Sequence, residues 1–135
     1  MRAVAALVGA ASMTMGVSAS AQGPLPTRTP LATLSIKIPK QVSRVEATRV
    51  DFLPGQAMPT HKHTVPVVCF VTQGEFLVSI GAEPERRVAL GAVTYEPPEV
   101  VVHYFKNASQ TAPAQLECAA LAGDDDHTLN VMLPQ

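Results

Sequence analysis

Between residues 47 and 121 apolar and polar side chains largely alternate, the two-residue period of half-buried strands. Over residues 47–53, Thr48, Val50 and Phe52 alternate with Arg49 and Asp51, and Pro54-Gly55 ends the run. Residues 65–72 are almost continuously apolar or β-branched, which predicts a strand buried on both faces. After a Gln73-Gly74 turn, Phe76, Val78 and Ile80 alternate with Leu77 and Ser79 up to Gly81. Residues 83–86 form a charged hairpin loop that returns through residues 87–90. Gly91 turns the chain again, and a short strand at 93–95 stops at Pro97-Pro98. Across residues 100–106 the same period puts His103 and Phe105 on one face, Tyr104 and Lys106 on the other. A polar loop at 107–113 leads to a strand at 114–121, with Leu116, Cys118 and Ala120 on one face, and the tail closes with an edge strand. Eight or nine short strands, with turn signals roughly every 8–12 residues and no helical period, predict an all-β sandwich or jelly-roll barrel.

The N-terminus is of another kind. Arg2 precedes a small-residue apolar run over 3–17, and Ala19-Ser20-Ala21 fits the cleavage site of a secretory signal peptide. The run is interrupted by Gly9 and Gly16 and is shorter than the ~20 apolar residues of a membrane span. The expectation is a signal peptide at 1–21, cut after Ala21, and a periplasmic or secreted protein with no membrane span in its mature form. Residues 22–40, with prolines at 24, 26 and 30, read as an extended arm or linker, and 41–135 as one domain. A formal net charge of -1 without a basic patch argues against nucleic acid and anionic membrane surfaces as partners. The two cysteines, Cys69 and Cys118, are free to pair in an oxidising compartment, though their spacing does not require it.

The candidate chemistry lies in the histidines. His61 and His63 are one residue apart after a Gly-Pro turn, so on a strand both imidazoles project from one face. His103 follows forty residues later in the 100–106 strand. Neutral imidazole is the commonest ligand for Zn, Fe, Ni and Cu, and three such ligands leave positions open for water or substrate. Any one of these residues alone would be read as an ordinary surface or core histidine. Three of the chain's four at this spacing favour a metal site.

Two motifs in order make a resemblance specific. Gly55, five residues, His61-Lys62-His63, three residues, Val67, six residues and Gly74 resemble the first cupin motif, with Val67 standing where that motif has glutamate. Gly91, six residues, Pro98-Glu99-Val100, two residues, His103, three residues and Asn107 resemble the second, with one extra residue and Val100 in place of glycine. The resemblance covers roughly residues 45–121. It implies a cupin-type jelly-roll β-barrel, or double-stranded β-helix, often dimeric. His61, His63 and His103 would hold a divalent transition metal (Fe, Mn, Ni or Zn) in its mouth. A valine at a turn that needs positive φ would be costly, so the turn before His103 should differ.

The function implied is a metal-dependent enzyme, dioxygenase- or isomerase-like, acting on a small oxygen-bearing molecule. The alternative is a non-catalytic module that binds a small ligand, because cupin membership does not choose a reaction. No general base is evident, and Glu75 and Glu99 are assigned no role. Met58, Tyr95 and Phe105 are candidates for the pocket wall or for ordinary core. For Cys69 the readings are a buried core thiol, a disulfide to Cys118 across neighbouring strands of the family topology, and a metal ligand, in that order. The run Asp124-Asp125-Asp126-His127 is read as a solvated turn ahead of a second metal site.

Overall fold

Nine residues of β1 (Arg44–Phe52) lie antiparallel to all nine of β9 (Ala114–Ala122), and this long pairing founds one of two facing sheets. The structure, a computed structural model, describes residues 26–37 and 40–134; the expected signal peptide at 1–21 lies outside them. Between these strands run β2 (Ala57–Met58), β3 (His61–His63), β4 (Val67–Gln73), β5 (Glu75–Ile80), β6 (Arg86–Ala89), β7 (Val93–Glu96) and β8 (Val101–Asn107). The short β10 (Asn130–Met132) ends the chain as the expected edge strand on β3. One sheet has the order β1-β9-β4-β7; the other has the order β10-β3-β8-β5-β6, with β2 also on β8. There is no helix among the described residues. The described part of the expected arm, residues 26–37, makes no strand and is almost wholly exposed.

Each sheet buries the face it turns to the other, as the period of two requires. Phe52, Val71, Phe76, Val78, Ile80, Val102, Phe105 and Leu116 form the larger core cluster, with Phe76 edge-on to both Phe52 and Phe105. A smaller cluster of Val65, Val67, Cys69 and Ala122 fills another part of the interior. Asn107 is fully buried and works as a polar clasp. Its amide donates to the carbonyls of Leu53 (3.0 Å) and Ala112 (2.8 Å), and its side-chain oxygen accepts from the Ser109 N–H.

Two expectations are corrected. β4 is buried on one face only: Val67, Cys69 and Val71 point in, while Phe70 is 40% exposed. Its sheet is one of two layers, so its outer face meets solvent however apolar its sequence. Second, β8 does not alternate regularly. Ser79 of β5 pairs with Tyr104 and Ile80 with Val102, so His103 is an extra residue in the ladder, a β-bulge. An extra residue reverses the facing of all that precedes it. Val102 and Phe105 both point inward, and His103 is exposed instead of sharing the Phe105 face. The turn ahead of β8 differs from the motif, as the valine requires: the positive φ falls on Glu99 (61°) and not on Val100. Glu99 carries that strain with its N–H bonded to the His63 carbonyl (2.7 Å) and its carboxylate paired with Lys62.

Cys69 and Cys118 stand directly opposite each other in the β4–β9 register and are joined by a disulfide. The core thiol expected first for Cys69 is thus replaced by the second reading. The bond closes a loop of 49 residues' separation. Loops of that size restrict the unfolded chain by about 4 kcal/mol.

Candidate metal centre

β3 is only three residues long, but it is held on both sides. His61 pairs with Val102 of β8 and Met132 of β10, and His63 with Asn130. The pleat sends Lys62 outward to Glu99 and turns both imidazoles inward, where His61 is 7% and His63 8% exposed. Their ring centroids lie 5.0 Å apart with planes at 87°. His61 Nδ1 lies 2.8 Å from the Pro59 carbonyl, which only accepts, so Nδ1 carries the proton and Nε2 offers its lone pair to the interior.

What the two rings meet is Glu96, the last residue of β7, in the opposite sheet and only 4% exposed. Glu96 Oε2 lies 2.7 Å from His63 Nε2 and 3.7 Å from His61 Nε2. Glu96 is also the cross-strand partner of Val67. The carboxylate missing from β4 is therefore supplied from the adjacent position on β7. Side chains directly opposite across an antiparallel pair start about 5 Å apart, within easy reach of a glutamate.

A buried carboxylate without a cation costs several kcal/mol, so this site demands positive charge. Burial alone would raise the Glu96 carboxyl, but hydrogen bonds and charge from His61 and His63 outweigh it and hold it below its ordinary value. For His61, burial disfavours the charged ring. The hydrogen bond to Glu96, the one to Pro59 and the Glu96 charge prevail, and its pKa is raised. A proton shared among these groups satisfies the demand, and so does a metal ion.

The donor set fits a metal. Nitrogen and oxygen ligands 2.0–2.2 Å from one ion sit roughly 3–3.5 Å from each other. The observed 2.7 and 3.7 Å bracket that spacing. Two imidazoles and a carboxylate suit Zn, Fe, Ni or Mn and leave coordination positions open. Among the described residues, His61, His63 and Glu96 form the group of metal-ligating side chains whose donor atoms all lie within 4.8 Å of one another. His63 Nδ1 and Thr94 Oγ1 are buried without a hydrogen-bond partner.

The structure thus brings together His61 and His63 of the three histidines and leaves His103 apart, on the outer face with Nε2 3.1 Å from the Gly81 carbonyl. Glu75 and Glu99 pair with Arg87 and Lys62 at the surface. Asp126 is taken up by Lys40 (2.5 Å) and the Gly123 N–H (2.6 Å), which brace the acidic turn. The His61–His63–Glu96 group opens into a cavity of about 370 Å3. Its walls are mainly apolar and include Val50, Phe52, Met58, Phe105, Leu116 and Leu129, with the disulfide sulfurs' residues Cys69 and Cys118 also lining it. Glu46 and His127 are further ionisable residues on its lining. Of the three residues read as pocket wall or core, Met58 and Phe105 line the cavity and also belong to the core packing, and Tyr95 does not line it.

Two antiparallel sheets closing over a His/His/Glu group define a double-stranded β-helix with an interior site of metal-binding type. The chain belongs to the cupin family: residues 48–120 match the cupin domain. No curated protein matches it. Among solved structures it is similar to an oxalate oxidase bound to the substrate analogue glycolate, at 26% identity and a TM-score of 0.58, over 67% of this chain and 46% of that one. A DMSP lyase from Ruegeria pomeroyi matches at 20% identity and TM-score 0.56, over 65% of this chain and 42% of that one. An uncharacterized protein with a double-stranded β-helix domain from Klebsiella pneumoniae matches at 16% identity and TM-score 0.56, over 67% and 76%. This chain spans less than half the length of the oxidase and lyase chains.

Proposed function

We propose that this cupin binds a divalent transition metal through His61, His63 and Glu96 and acts on a small oxygen-bearing molecule with an apolar body. The observation that carries the reading is the convergence of two buried imidazoles from one sheet on one buried carboxylate from the other. When bound, the metal supplies Lewis acidity, and with iron or manganese also redox chemistry. The chain's own contribution is positional. Pro59 fixes the tautomer of His61, β7 delivers the carboxylate, and the apolar walls exclude water from a substrate of cavity size. The oxalate oxidase and lyase similarities support small-molecule chemistry in a fold of this kind. The largely apolar lining also suits a second reading, a binding module without turnover.

Elemental analysis of untagged protein from its native compartment should find one divalent transition metal per chain. Turnover of a bound small molecule in the loaded protein selects the enzyme, and tight binding without turnover the module. Metal-free protein that also fails to take up Zn, Mn, Fe or Ni would reject the metal-dependent reading and leave the binding module.

The reading includes export to the periplasm or beyond, supported by the leader pattern at 1–21 and by a disulfide of the kind that oxidising compartments sustain. It also includes a homodimer, supported by β1, a long edge strand with Val45 57% exposed. Mass analysis of exported protein should find its N-terminus within a residue or two of Gln22, and light scattering should give twice the chain mass. An intact Met1 in exported material would count against the first, and a monomer at micromolar concentration against the second.

A further inference from the structure

The disulfide lies against the carboxylate of the site. Cys69 Sγ is 3.5 Å from Glu96 Oε1, while Glu96 Oε2 faces His61 and His63. A tetrahedral zinc with Zn–S of about 2.3 Å and Zn–O of about 2.0 Å places its sulfur and oxygen ligands about 3.5 Å apart. Cys69 Sγ thus lies beside the carboxylate of the set, at the oxygen turned away from the histidines and at the spacing of a shared ion, and its bond to Cys118 withholds the sulfur. Cys69 is 1% exposed, whereas Cys118 is only partly buried, and both line the cavity.

Resting on the metal reading above, we infer that Cys69, once released from Cys118 by a dithiol reductant, becomes a fourth ligand beside His61, His63 and Glu96. The disulfide then switches the site between an open two-nitrogen, one-oxygen set and a closed set that includes sulfur. A thiolate of the reductant attacks the more accessible Cys118 sulfur. The S–S bond breaks with its electron pair going to Cys69 Sγ, and the second thiol of the reductant displaces Cys118 from the mixed disulfide. The reductant ends as a disulfide and the protein as two thiols, a two-electron exchange. On metal binding Cys69 gives up its proton to solvent.

The charges favour the closed set. A thiolate beside the Glu96 carboxylate is repelled in an empty site. With a divalent ion present, one carboxylate, one thiolate and two neutral imidazoles bring the site to net zero. Thiolate also shifts preference toward zinc over manganese or iron, and four protein ligands leave no open position. Reduction would thus convert an open centre into a closed zinc site.

By linkage, zinc must favour reduction of the disulfide by the same factor that reduction favours zinc. The test equilibrates the full chain with a glutathione redox buffer while a chelator holds free zinc fixed. The thiol–disulfide equilibrium should move at least tenfold toward the thiols when zinc is present. No movement, or movement toward the disulfide, overturns the inference; the latter is also the result if the reduced chain unfolds. Cobalt spectra identify the ligand. Cys118→Ser and Cys69→Ser both lack the disulfide and lose the same loop constraint. Cys118→Ser should show a sulfur-to-cobalt charge-transfer band and Cys69→Ser should not. Equal spectra overturn the proposal. Oxidised protein that binds cobalt without such a band sustains the His/His/Glu reading whatever the variants do, and oxidised protein that binds none removes that reading.

Discussion

Glu96→Gln should cost at least about 100-fold in affinity for zinc or manganese, measured by titration calorimetry on the oxidised protein. Changes to groups that only support a ligand already cost roughly 10–100-fold, so loss of a charged ligand should be no smaller. The substitution keeps the size of the side chain and its fit against Val67 on β4. What it removes is the buried negative charge that the two imidazoles face and that the proposed ion would need. His61→Ala and His63→Ala should fall into the same range. His103→Ala should leave affinity unchanged, because that ring sits on the outer face against the Gly81 carbonyl. The opposite outcome, with Glu96→Gln silent and His103→Ala strongly impaired, would restore the three-histidine set and reject the one proposed.

The contrast between His103 and Glu96 shows where the sequence stops being legible. Strands, turns and the inward pair on β3 depend on spacings of one to three residues, which the linear pattern carries directly. Gly74 and Gly91 mark turns in which φ is positive, 74° and 85°. His103 lies apart from His61 and His63 because one added residue in β8 reverses the facing of its neighbours. The spacing from Pro98 through His103 to Asn107 is that of the motif, so the linear pattern carries no trace of the bulge. Glu96 was missed because its place beside the histidines depends on the register between β4 and β7, a relation between strands about thirty residues apart. In the sequence the motif's acidic position is Val67, and a glutamate, Glu96, closes the strand beside Pro97-Pro98. The disulfide is of the same kind: Cys69 and Cys118 are opposite only once β4 and β9 are in register.

The cross-strand substitution can be run backwards. Val67 is 3% exposed, packs with Val65, Cys69 and Ala122, and faces Glu96 directly. Val67→Glu alone should destabilise the metal-free protein by about 3–5 kcal/mol, because a second buried carboxylate beside Glu96 lacks a cation of its own. A divalent ion supplies that charge, so metal should restore much of the lost stability in this variant and raise its melting temperature more than that of the wild type. Glu96→Val alone should lose the metal, as Glu96→Gln does. Combining the two returns the carboxylate to β4 and leaves valine on β7, with the number of charges and the side-chain volume unchanged. Metal affinity of Val67→Glu/Glu96→Val should recover to within about tenfold of the wild type, a coupling of several kcal/mol between two residues that touch. A double variant that folds, with melting close to the wild type, and still binds no metal would show that β4 and β7 are not interchangeable sources of the acid. Glu96 would then be reduced to a charge partner for the histidines, and the account of how this cupin replaced its missing ligand would fail.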